Sequence, residues 1–176
     1  MFEGWGEFYL MAGGAAAVLI GLIFVVISLM QDRSRATVLT GSKLYMGPIV
    51  LSVSFVLVLS ASALTPHIHR SSVALIAGAI ALWGLARGAM SVTGIRHLSS
   101  IDEDPPHWTD VWFYGAIPSA LYAVLGIVAY GFWCDAHWAR EGLAAAITSL
   151  LLVAIRNEWD LITWIAPRSD EIGGAS

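Results

Sequence analysis

The sequence predicts an all-α integral membrane protein: a single domain over residues 1–176 built as a bundle of five transmembrane helices. Three observations carry this. Hydrophobic residues make up 57% of the chain and charged ones 12%, a balance outside the range of soluble globular domains. The apolar residues are gathered into runs of the length that crosses a hydrocarbon core of about 30 Å, which takes roughly 20 residues of helix. The arginines and the one lysine fall mostly into loops on one side of those runs.

The first span, residues 9–30, is uncharged from Tyr9 to Met30. Glu3 and Glu7 precede it where a secretory signal would carry basic residues, so this helix is expected to stay in the mature protein. Gly13, Ala17 and Gly21 recur at four-residue spacing with Gly14 and Ala16 beside them. Small residues in such a row let helices pack closely in lipid, either inside one bundle or at a seam between subunits. The second span, 44–66, is also uncharged and holds Pro48 near its start. The third, 71–95, reaches full length only by continuing past Arg87, which is flanked by the small pair Gly84 and Gly88. The fourth, 111–134, is uncharged from Val111 to Cys134 and contains Pro118. Both prolines are expected to kink their helices, because each removes an N–H and frees a carbonyl. The fifth, 142–165, must run through Arg156-Asn157-Glu158-Trp159-Asp160 to cross.

The loops then lie near residues 31–43, 67–70, 96–110 and 135–141. Arg33, Arg35, Lys43, Arg96 and Arg168 fall on one side and only Arg70 and Arg140 on the other, which puts the N-terminus outside and the C-terminus in the cytoplasm. Tryptophans favour membrane interfaces and agree with this: Trp5, Trp133 and Trp138 mark the outer ends, Trp108, Trp112 and Trp164 the inner ones.

Charge within a span costs about 2.5 to 3.5 kcal/mol per residue on insertion scales. The cluster in the fifth helix, with Arg87 of the third, is therefore the principal candidate site. At 1.5 Å per residue Arg87 lies about 24 Å and Arg156 about 21 Å along their helices from the outer side, so they share a depth. Arg156 and Asp160 are four residues apart and share a face. Glu158 points elsewhere and is the natural interhelical partner for Arg87, with Gly84 and Gly88 allowing the approach. Two main readings follow, with a partner-docking site as a third. The network fixes helix register near the inner interface, or it lines a polar cavity for an ion, a proton or a small solute. Ser28, Tyr45, Ser52 and Tyr114 are the further polar groups at matching depth.

Other chemistries find little support. No run of basic residues provides a nucleic-acid footprint. The outer loops bring His67 and His69 to the same face as Cys134, Asp135 and His137, but their spacing matches no closed metal motif. These residues are candidate ligands only, and neither metal nor cofactor is expected. The inner loop with His97, Asp102, Glu103, Asp104 and His107 beside Pro105 and Pro106 reads most simply as a rigid solvated turn, with a divalent-cation site as the alternative. No histidine lies inside a span to ligate haem, and the only lysine, Lys43, is in a loop. The phosphate-binding loop, the HExxH helix and the nucleophile elbow are all missing from the sequence. The lone Cys134 permits no internal disulfide.

Gly13-Gly14-Ala15-Ala16-Ala17 running on to Gly21-Leu22-Ile23-Phe24-Val25, and Arg156-Asn157-Glu158-Trp159-Asp160-Leu161 with Trp164, carry a resemblance. The chain resembles a group of small, uncharacterised bacterial multi-pass inner-membrane proteins with a GGAxAxxxGLxFV opening and an RNxWDLxxW ending. The resemblance implies a bacterial inner-membrane location and makes Arg156, Asn157, Trp159 and Asp160 part of a signature, with Glu158 at its variable position. It brings no activity or cofactor. The expected function is an oligomeric channel or transporter-like protein with the charged cluster near its cytosolic end. The alternatives are a non-conducting scaffold or accessory subunit, and thirdly a metal-dependent membrane enzyme. The expected partners are the lipid bilayer and further copies of the chain.

Overall fold

The computed structural model of the chain describes residues 2–29, 47–98 and 112–165. Every regular element in it is helical. Five α-helices follow one another: α1 Gly6–Leu29, α2 Gly47–Leu64, α3 Arg70–Leu98, α4 Ile117–Trp133 and α5 Ala139–Ile165, with a π turn at Trp112–Ala116 leading into α4. Among the described residues three stretches are long and apolar enough to cross a membrane, Gly6–Ser28, Gly47–Leu64 and Arg70–Met90. The α-helical part of α4 is shorter, and α5, 27 residues long, carries charge at both ends. The loop with Arg33, Arg35, Lys43 and Tyr45, the acidic turn from Asp102 to Trp108, Arg168, and the side chains of Arg96, His97, Tyr114 and Trp164 lie outside the described residues.

Local chemistry explains where these helices begin and end. Alpha-1 starts three residues before the apolar run because Glu7 in its first turn favours the positive helix end. The kink expected at Pro48 falls at the edge of the described residues, since α2 is described only from Gly47. Pro118 is the second residue of α4, which directly follows the π turn, whose last residue, Ala116, is already in the right-handed helical conformation. The π turn immediately before Pro118 supplies the wider backbone there. Alpha-4 ends in a paired-bond cap: Ala136 N–H donates to the Gly131 carbonyl at 2.8 Å and Asp135 N–H to the Phe132 carbonyl at 3.4 Å. Asp135 takes the left-handed conformation this cap requires, at φ 58°. Alpha-5 begins four residues later.

Alpha-1 packs on α2 and α3 on α4, and α5 lies against α1, α2 and α4. The core is the meeting of their inner faces. Leu143, Ile147, Leu150, Ala154 and Leu161 line one stripe of α5, facing Val53, Val56 and Leu59 of α2 and Leu125 and Val128 of α4. At one end Phe2, Trp5, Phe8, Tyr9 and Phe132 form an aromatic group; the Phe2 and Tyr9 rings meet edge-on at 5.2 Å. The outside of the bundle is apolar as well. Val18 and Phe24 of α1, Leu82 of α3, Ile127 of α4 and Leu152 of α5 are all more than half exposed.

Close contact between α3 and α4 depends on Gly84 and Gly88. A Cβ on Gly84 would fall within the Tyr122 ring, and one on Gly88 within the Ser119 side chain. On α1 the small-residue row behaves differently. Gly13 faces α2, where its Cβ would meet Ser60 at 3.2 Å, whereas Ala17 and Gly21 are exposed. A four-residue step turns about 40° beyond a full circle at 3.6 residues per turn, so the row winds off the α2 contact within two steps.

Candidate functional site at the charged end of α5

The residues of the charged cluster point in different directions because each successive helical residue turns about 100°. Asn157 continues the core stripe of α5 and is 4% exposed. Glu158, beside it, is 3% exposed. Trp159 turns outward and is 67% exposed. Arg156 and Asp160 lie at the margin, with an ion pair of 3.0 Å from Nη1 to Oδ2. Arg156 Nη1 also donates to Asn157 Oδ1 at 3.4 Å. One turn further on, Thr163 Oγ1 donates to the carbonyls of Trp159 at 3.1 Å and Asp160 at 3.0 Å, which keeps its hydroxyl within its own helix.

Glu158 is the anomaly. Both carboxyl oxygens are sealed from solvent and neither has a hydrogen-bond partner. The expected pair with Arg87 is not formed, since Arg87 is exposed on α3. The cause is packing: α3 uses its Gly84/Gly88 face against α4, which leaves Arg87 off the contact, and α5 packs on α1, α2 and α4 instead. Arg87 is thus not a buried charge awaiting a partner.

Of the other polar groups expected at this depth, the two described ones, Ser52 and Ser28, are already engaged. Ser52 Oγ and Tyr122 Oη are hydrogen-bonded to each other at 2.9 Å, and the Tyr122 ring meets Phe55 edge-on at 6.0 Å. Ser28 is exposed and donates to the Phe24 carbonyl at 2.9 Å. The Ser52–Tyr122 pair went unrecognised in the sequence because a Ser and a Tyr 70 positions apart carry no joint signal.

At the opposite end the two short connections are tied by an ion pair between Arg70 and Asp135. The neighbouring guanidinium, through its hydrogen bond and charge, holds the Asp135 carboxyl below the usual carboxylate range. That contribution is fully present above the unfolded-state value, about 3.9, and is lost as pH falls through the depressed folded value. Asp135→Asn is therefore expected to lower the melting temperature slightly at neutral pH, and not at all once the wild-type carboxylate is protonated in acid. Both side chains are more than half exposed, so added salt should erase the difference as well.

His67 has a left-handed backbone, φ 55°, and lines a pocket with Phe2, Ala63, Thr65 and Ile68. Cys134 is exposed. His67, His69, Cys134 and His137 do not come together: among the described residues no group of three histidine, cysteine or acidic side chains is placed to hold a metal ion. Compared with known proteins, the chain matches no family model, no curated protein and no solved structure.

Proposed function

We propose that this chain is a five-span protein of the bacterial inner membrane, N-terminus outside, whose copies assemble into a channel or transporter-like oligomer with the charged end of α5 at its cytosolic constriction. The observation that carries the reading is Glu158, a carboxyl held in the protein interior without a hydrogen-bond partner. An ionisable group within a membrane-spanning helix is costly to bury and supports a functional site as the first hypothesis to test. The apolar exterior supports lipid as the surrounding solvent, since Val18, Phe24, Leu82, Ile127 and Leu152 would otherwise face water. The interior of one bundle is filled by Val53, Leu125, Ile147 and their neighbours. A pathway is therefore expected between copies, where Arg87 and the Arg156–Asp160 pair, all on the outside of one bundle, would line it.

The test is ion flux from proteoliposomes holding purified protein, wild type beside Asp160→Asn, with the mass of the oligomer recorded from the same preparation. Protein-dependent flux changed by the substitution is the expected result. No flux over a broad ion panel would transfer the assignment to a non-conducting scaffold or accessory subunit. One observation favours that second reading: Arg156 and Asp160 pair within a single helix, as they would in a purely structural element.

A further inference from the structure

We propose that Glu158 is a proton-binding site, occupied by H⁺ when α5 is packed as observed and emptied only when α5 parts from the helices around it. This rests on the inner end of α5 being the working end of the protein, and it names the species that the site takes.

The first step is the nature of the pocket. An ionised carboxylate needs donors, and removing it from water without them is strongly unfavourable. Glu158 has none on either oxygen. Among the described residues, the charged and titratable groups on the packed elements do not supply a counter-charge; the π turn also touches α5, and the side chain of its Tyr114 lies outside the described residues. Alpha-1 contributes Glu7 and Tyr9, both at the far end of the bundle, and α2 carries no charged residue. Alpha-4 contributes Tyr122, bonded to Ser52, and Tyr130, exposed near the far end. On α5 itself Arg140 and Glu141 are at the far end, and Arg156 and Asp160 pair with each other at the margin.

The second step is the choice of cation. A metal ion held by oxygen needs several ligands around it, six to eight for calcium and six for magnesium. Neither Glu158 oxygen has a hydrogen-bond partner, and among the described residues no group of three histidine, cysteine or acidic side chains is placed to hold a metal ion, so the cage such an ion needs is not built here. A proton needs one oxygen and leaves a neutral acid that the apolar surroundings tolerate. Since both oxygens are sealed, the proton has no route in or out while α5 keeps its contacts, and binding is coupled to that packing.

The experiment is infrared difference spectroscopy on the full chain in lipid vesicles, comparing wild type, Glu158→Gln and Asp160→Asn, with oligomer mass and melting as controls for folding. The expected wild-type spectrum at neutral pH contains the carbonyl stretch of an un-ionised carboxylic acid. That band is lost in Glu158→Gln, kept in Asp160→Asn and indifferent to exchange of sodium for potassium. Glu158→Met makes the same subtraction should the glutamine variant not fold. A wild-type spectrum with no Glu158-dependent acid band at neutral pH, or with a carboxylate band in its place, overturns the proposal. The flux assay separates this from the broader reading. An acid band without flux keeps the proton site and removes the pathway, whereas flux without the band keeps the pathway and removes the proton site.

Discussion

Gly84→Ala is expected to destabilise the protein by about 1–3 kcal/mol, and Gly84→Leu by more, measured by thermal unfolding in detergent. The added Cβ would enter the ring of Tyr122. That ring cannot easily retreat: it is 5% exposed, stands edge-on to Phe55, and has its hydroxyl bonded to Ser52. The strain therefore passes to the backbones, and α3 must move off α4. Gly88→Ala should cost less, because its clash is chiefly with the Ser119 hydroxyl, which can rotate away once it gives up its bond to the Gly115 carbonyl. Equal melting of Gly84→Ala and wild type would show that the two helices do not meet at this glycine.

The second large effect belongs to the ring itself. Tyr122→Ala is expected to cost about 3–5 kcal/mol, the range for truncating a buried aromatic side chain. Tyr122→Phe should cost about 1 kcal/mol, since it removes one hydrogen bond and leaves the Ser52 hydroxyl without that partner. The two sites touch, so their effects should not add. In a Tyr122→Ala background the penalty of Gly84→Ala should largely vanish, because the atoms it strikes are gone. Additive penalties would mean that Gly84 acts through helix propensity alone.

Helix positions were largely legible in the sequence because they follow from uncharged apolar runs, and those runs are a property of consecutive residues. Their ends were less so. Hydropathy marks where lipid-compatible residues stop, whereas a helix continues through Glu7 or through Arg140 and Glu141, whose charges do not disturb the backbone. The π turn at Trp112–Ala116 has no sequence signature, and Pro118 read alone suggested a kink. At the site, the four-residue spacing of Arg156 and Asp160 was enough to place their pair, because it depends on one helix only. The partner of Glu158 depends on which helices are neighbours, and spacing along the chain does not contain that. Equal depth made Arg87 plausible; the rotation of α3 about its own axis, set by Gly84 and Gly88, turned it away.

The cap at Asp135 has a mechanical side. It lies in the five-residue link from α4 to α5, is braced by Arg70, and sits at the same end as the short link from Leu64 to Arg70. Were α5 to move about that end, it would swing as a lever arm. Glu158 lies about 28 Å along the helix from Ala139 at 1.5 Å per residue, so a tilt of about 5° about the cap displaces it by roughly 2.5 Å. A displacement of that size is close to the width of a water molecule.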